Sequence, residues 1–401
     1  MEQYLNLRKG FLISGAPILM RKIRTMNDII DIYGNSEKVK QYHLLQYENF
    51  QLVSKIFEEY VLEIGFDGWK EIVKELENVL TRCDEIDYQK DETAIAYAIW
   101  HFLDRYHRIQ IMCDFLIKNG YLNRAKQYDV LDVGTGPSQV LFALSDHFQN
   151  LNKIEKQVLC TFNPDYIERS QGFRNFLHHF VEYALSKKKQ YLVPFHWGRT
   201  QDAFDISFKE YTPFCNTKYR YDLVVFNNFL TQKGFVEEYA DTLRKICKYM
   251  RNQGMLIIIG ASDKSEKYQE IYPMIDNIIN KPFKQRDFYG HWKKVIDREF
   301  NYKYEDAYGS VLGEYFRNIV KYLKDGNLWD DVPKKAQKEF EENTSIPMPE
   351  EMMKKWSGST WKMVVYKKIS RPDINLLKRK KLVHKNYVRL LDEGWKEEIT
   401  N

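Results

Sequence analysis

The run Tyr128-Asp129-Val130-Leu131-Asp132-Val133-Gly134-Thr135-Gly136-Pro137-Ser138 (YDVLDVGTGPS) decides the fold. Its apolar first half predicts a strand that ends at Asp132-Val133. Gly134-Thr135-Gly136 then turns the chain. A helix is predicted to start near Pro137, because proline at a first helical position lacks only an N–H that would be unpaired there. Two glycines let the backbone approach a ligand closely, and a helix start offers free N–H groups. Strand, glycine turn and helix together predict a nucleotide-type site at the carboxyl end of a first strand.

Outward from this run, strands and helices alternate. Strands are predicted at 128–133, 157–162, 191–195, 221–227 and 255–260, and helices at 138–148, 166–185, 234–250 and 265–279. Strands separated by helices of this length mean βαβ units and a parallel sheet covered on both faces. A late strand is predicted at 361–369, and 281–357 reads as an insertion carrying a helix at 310–323 and a loop at 343–349. Upstream, 1–120 reads as a helical region with segments near 50–62, 69–79 and 93–118. In the last of these Ile95, Ile99, Phe102, Leu103, Tyr106, Ile109 and Cys113 recur at helical spacing, and Gly120 suits the C-terminal cap. The expected units are 1–120, 121–370 and a basic segment at 371–401.

Composition bounds the function. The 401 residues are 44% hydrophobic and 29% charged, which excludes collagen-like and wholly disordered classes. No run of about 18 uncharged apolar residues occurs, so no membrane association is expected. Five cysteines without a CxxC spacing argue against a disulfide framework or a cysteine metal site, and fit a reducing, cytoplasmic compartment. No metal is expected; His178, His179 and His196 are the residues weighed as ligands. Net charge is +5, yet 362–389 holds ten Lys/Arg against one acid, Asp373. Such asymmetry suits a polyanion. Lys378, Arg379, Lys380 and Lys381 are the candidate phosphate contacts for RNA.

The ligand class follows from what surrounds the glycines. Gln139 occupies the sixth position of GxGxxG, where a dinucleotide site needs glycine, and no GxxxxGK[ST] loop is present. Asp132, two residues before Gly134, would repel a pyrophosphate and suits a ligand with an ammonium or sulfonium group. That selects S-adenosyl-L-methionine.

Leu131-Asp132-Val133-Gly134-Thr135-Gly136-Pro137 resembles motif I of the class I S-adenosylmethionine-dependent methyltransferases. The resemblance implies an α/β fold with a Rossmann-like sheet and helices on both faces, beside the helical N-terminal region. It covers 128 to about 260, with 361–369 as a last strand. It implies that Asp132, Gly134, Thr135, Gly136 and Pro137 bind the cofactor, with Asp132 near the amino group. An acid usually ends the second strand and holds the ribose; Asn163 stands at that place, with Asp165 close behind. The adenine contact falls at Asp202, and Asn227, ending YDLVVFN, faces the transferred methyl. The order of a long helix with Tyr106 and Arg108, motif I and a YDLVV strand is also similar to the methyltransferase-like family that assists small-ribosomal-subunit assembly. The cysteine cluster ligands common in that family are missing here.

The resemblance implies a methyltransferase, and the basic segment with the ribosomal-assembly similarity makes RNA or another nucleic acid the expected acceptor. A cofactor-binding assembly or regulatory protein without turnover, and a small-molecule methyltransferase, are the alternatives. RNA or a ribonucleoprotein, and a protein docking on the helical N-terminal region, are the expected partners. No catalytic residue is identifiable: NNFL at 227–230 is not the Asn/Asp-Pro-Pro-Tyr/Phe tetrapeptide, and Cys215 lies before its strand rather than after it.

Overall fold

Continuous apolar strands need cover on both faces, and the sheet has it. The computed structural model describes residues 29–157, 159–187, 221–262, 265–280, 291–301, 306–345 and 360–369. Its sheet contains β1 (Gln127–Val133), β2 (Thr161–Ile167), β3 (Tyr221–Asn227), β4 (Met250–Ala261), β5 (His291–Asn301) and β6 (Thr360–Ile369), in the order β2-β1-β3-β4-β6-β5. β2, β1, β3 and β4 run parallel, whereas β6 is antiparallel to both β4 and β5.

Alternate residues of each strand enter two cores. Val130, Leu223, Val225, Ile257 and Val365 face one side. Leu131, Val224, Phe226, Leu256, Ile258 and Val364 face the other. Helices α1 (Ser36–Glu63), α2 (Gly65–Arg82), α3 (Asp91–Lys118), α4 (Gln139–Glu155) and α5 (Gln171–Lys187) cover the first side, and α6 (Lys233–Tyr249) and α7 (Glu266–Asn280) the second. Burying about 25 cal/mol per Å² of apolar surface on two faces is what such strands need to stay in register.

Two sequence expectations change here. The N-terminal helices share one continuous core with the sheet, through contacts such as Phe57–Phe102 and Phe102–Phe142. The stretch expected as an insertion supplies β5 to the sheet, and its helices α8 (Asp306–Asp325) and α9 (Lys334–Thr344) pack on the N-terminal layer. Trp100 packs tilted against Phe340 with ring centroids 4.3 Å apart, and Tyr315 donates to the Ile99 carbonyl at 3.2 Å. The expected strand at 191–195 lies outside the described residues.

β2 also sits later than expected. Pro164 lies inside the strand, opposite Val130. Among the described residues β2 is an edge strand, where a proline's missing N–H removes no ladder bond.

Candidate functional site

From β1 the chain goes to β2 on one side, then returns to β3 on the other. This reversal leaves a crevice at the carboxyl ends of β1 and β3, where open α/β sheets take ligands. A cleft of about 270 Å³ opens there, lined by the glycine turn, Gln139, Glu168 and Asn227. It lies close to the lower end of the ~300–1,000 Å³ typical of small-molecule sites. Tyr88, Tyr97 and Phe173 form one aromatic wall, with Tyr88 and Phe173 rings 4.7 Å apart. Phe229 and Phe235 form another, in edge contact at 4.9 Å.

The turn depends on its glycines. Gly134 has φ +67° and Gly136 +53°. A Cβ on Gly134 would lie 2.0 Å from the Phe229 ring. Ser138 is also left-handed, at φ 63°, and caps α4, which begins at Gln139. Pro137 therefore lies in the turn, before the helix, rather than at its first position. The loop amides are largely used inside the protein. Gly134 and Thr135 donate to the Ile167 carbonyl at 2.9 and 3.2 Å, and Gly136 to Glu168 Oε2 at 2.8 Å. A cradle whose amides already have acceptors, one of them a carboxylate, is a poor phosphate site.

Asp132 is fully buried behind this turn. Its Oδ2 accepts the Thr135 hydroxyl at 2.6 Å, while Oδ1 is buried without a partner. Burial pushes its carboxyl up to about 7, opposed by the Thr135 hydrogen bond and reinforced by the Glu168 charge. Asn227 ends β3 in the cleft; its Oδ1 accepts from Asn228 Nδ2 at 3.1 Å, and its Nδ2 is buried and unpaired. Gln139 Oε1 is likewise buried and unpaired.

Asn163 is elsewhere. It lies early in β2, opposite Asp129, and donates to Asp129 Oδ1 at 2.7 Å. Asp165 accepts the Tyr221 hydroxyl at 2.9 Å, and neither residue lines the cleft. The acid at the carboxyl end of β2 is Glu168, directly after Ile167. It is buried, its Oε1 accepts the Ser170 amide at 2.9 Å, and burial raises its carboxyl against the pull of these amide donors. The four- to five-residue shift in β2 explains why Asn163 took its place in the sequence. An acid following the apolar pair Tyr166-Ile167 was the available signal.

The structure thus brings Gly134, Thr135, Gly136, Pro137 and Asn227 to one cleft, with Asp132 behind Thr135, and leaves Asn163 outside it. Asp202, Lys378, Arg379, Lys380 and Lys381 lie outside the described residues, as does Cys215. Of the basic run at 362–389, Lys362 pairs with Asp297 at 2.7 Å, and buried Lys368 donates to the Cys247 and Met250 carbonyls at 2.9 Å. Neither side chain is offered to a polyanion. Sequence reasoning also missed Cys83, Asp84 and Arg105, which the packing of the α2–α3 loop and α3 brings to the cleft. Burial raises the Cys83 thiol, which disfavours a nucleophilic thiolate. Among the described residues no group of three or more His, Cys, Asp or Glu could hold a metal ion, and no helix is long and apolar enough to cross a membrane.

No protein-family model and no curated protein matches the sequence. Among solved structures the chain is similar to a putative methyltransferase from Bacillus halodurans C-125, at TM-score 0.31 and 11% identity over 67% of this chain and 100% of that one. It is similar to the N-methyltransferase NodS from Bradyrhizobium japonicum WM9 in complex with S-adenosyl-L-homocysteine, at TM-score 0.31 and 9% identity over 75% and 100%. It is also similar to phosphoethanolamine N-methyltransferase 2 of Haemonchus contortus in complex with S-adenosyl-L-methionine, at TM-score 0.35 and 11% identity over 74% and 60%. The strand order, the antiparallel β6 and the glycine turn after β1 make this a Rossmann-like α/β fold.

Proposed function

We propose that the cleft binds S-adenosyl-L-methionine and that the chain transfers its methyl group to an acceptor entering beside Asn227 and Phe229. One observation carries this: two buried acids, Asp132 and Glu168, are built into a glycine turn whose amides are already engaged. Such a turn favours a cationic, hydroxyl-bearing ligand over a phosphate. The unpaired Gln139 Oε1 and Asn227 Nδ2, both on cleft-lining residues, support the fit, because each buried polar atom without a partner costs ~1–3 kcal/mol until a ligand satisfies it.

When bound, the cofactor supplies a methyl group already activated on a sulfonium. The chain's own residues position it. Glu168 holds the ribose hydroxyls through lone pairs left beside its two amide bonds. Asp132 acts on the amino end by its charge, from behind Thr135. The two aromatic walls exclude water. Orientation of this kind contributes up to ~7–11 kcal/mol to a displacement.

The acceptor class is supported by sequence alone. Lys367 lies over the Tyr121 ring at 5.8 Å, so with Lys362 and Lys368 also engaged, seven of the ten basic residues at 362–389, among them Lys378, Arg379, Lys380 and Lys381, remain as candidates for an RNA backbone. The test is transfer of labelled methyl from the cofactor to total RNA, DNA, protein and small-molecule extract. Ribonuclease-sensitive label is expected. Label confined to small molecules contradicts the acceptor class, and cofactor binding without any label identifies a binding-only assembly protein.

A further inference from the structure

Arg105 reaches the cleft from α3, the helix that precedes β1. It is partly buried, and its guanidinium lies over the Tyr97 ring at 4.8 Å. Among the described residues no carboxylate stands within ion-pair distance of it. The neighbouring charges are taken: Arg108 pairs with Asp104 at 2.8 Å, and Asp84 pairs with Lys267. Burial, with Arg108 adding to it, lowers the guanidinium to about 10, so at neutral pH it is a cation short of water and of a counter-charge. The Tyr97 ring offsets only part of that cost. The other cleft arginine, Arg169, is exposed and keeps its water.

Among the described residues Arg105 makes no ion pair with either acid of the glycine turn, and its ring partner Tyr97 packs on Phe173 at 5.3 Å. The groups that act on it most strongly are Arg108, Cys83, Tyr88 and Tyr268. Tyr268 belongs to α7, which follows β4, whereas Glu168 closes the cleft beyond β2. A ligand with its ribose at Glu168 and its reacting end toward Asn227 leaves Arg105 facing what comes next.

We propose that Arg105 is the anion receptor at the acceptor end of the cleft, and that the methyl acceptor carries a carboxylate or phosphate group that pairs with its guanidinium. A planar fork of N–H donors matches both anions. The assignment rests on the cofactor reading above, and the cofactor's own carboxylate is the other source of the same chemistry.

Calorimetry on the full chain separates them. Wild type, Arg105→Gln and Arg105→Lys are titrated with inorganic phosphate, with and without S-adenosylhomocysteine, and then with S-adenosylhomocysteine and with 5′-methylthioadenosine, which lacks the amino-acid part. Arg105→Met, which keeps an apolar contact with Tyr97, replaces the Gln variant if circular dichroism shows that one misfolded. Phosphate affinity is expected to fall about tenfold in Arg105→Gln and to be largely kept in Arg105→Lys, from the loss of a charge-assisted pair. Both nucleoside affinities are expected to change by less than about threefold. Phosphate binding that is absent, or equal in wild type and Arg105→Gln, overturns the proposal. So does a tenfold loss of S-adenosylhomocysteine with methylthioadenosine unchanged, which gives Arg105 to the cofactor's carboxylate. If wild type binds neither nucleoside, the cofactor reading fails, and the phosphate comparison still decides whether Arg105 binds an anion.

Discussion

The Glu168 carboxylate accepts the Gly136 amide at 2.8 Å, joining the acid that follows β2 to the turn that follows β1. One side chain thus both shapes the glycine turn and presents a charge to the cleft. Replacing it with alanine removes charge-assisted bonds worth ~1.5–3 kcal/mol each. Glu168→Ala is expected to weaken S-adenosylhomocysteine binding by about 10- to 100-fold, and Glu168→Gln by less. Titration of the two variants, checked by circular dichroism, measures this.

Asp132 gives a pH dependence with a definite sign. Its carboxyl is raised to about 7 by burial, so the folded chain prefers it protonated. Its contribution to stability is present below the ordinary carboxylate range and is lost as pH rises from about 4 toward 7, because the native state there binds the extra proton. Asp132→Asn keeps an acceptor for Thr135 without the charge. The melting temperature of wild type is expected to fall relative to Asp132→Asn between pH 5 and 8. Cofactor affinity should run the opposite way in wild type, strengthening as Asp132 ionises, and should be flat across this range in Asp132→Asn.

Gly134 and Phe229 form a steric pair. With φ +67° and a ring 2.0 Å from any added Cβ, Gly134→Ala must strain the backbone and displace Phe229. The left-handed conformation alone costs ~1–2 kcal/mol. Loss of about this stability and of cofactor binding is expected. Phe229→Ala in the same chain should relieve the clash but not the backbone strain, so denaturant melts of the double variant should recover only part of the loss.

Asn163 carries a different expectation from the one its sequence position suggested. It hydrogen-bonds Asp129, which is buried and paired with Arg251 at the amino ends of the strands. Asn163→Asp sets a second carboxylate against Asp129. It is expected to destabilise the chain by ~1–3 kcal/mol and to leave cofactor affinity unchanged. Tighter binding in this variant would return the ribose contact to Asn163.

Much of the frame was legible because local chemistry agreed with the fold. Tyr221–Asn227 is a strand with the same bounds in sequence and structure, since the apolar, β-branched run Leu223–Phe226 suits a strand buried on both faces. The glycine turn was legible because Gly134 and Gly136 take positive φ. Glu168 was not, because Pro164 reads as a break unless β2 is known to be an edge strand. β5 was hidden by its charges: Lys294 pairs with Asp276 and Asp297 only once α7 and the strand are assembled. Arg105 and Phe229 reach the cleft through packing between elements distant in sequence, which no local pattern encodes.

The central claim is that the glycine turn and its two acids form an S-adenosylmethionine site. Isothermal titration of the full chain with S-adenosylhomocysteine at pH 8, for wild type and Glu168→Ala side by side, tests it most directly. The account predicts saturable one-site binding by wild type, about 10- to 100-fold weaker in the folded variant. No binding by folded wild type, or equal affinity in both, would contradict it.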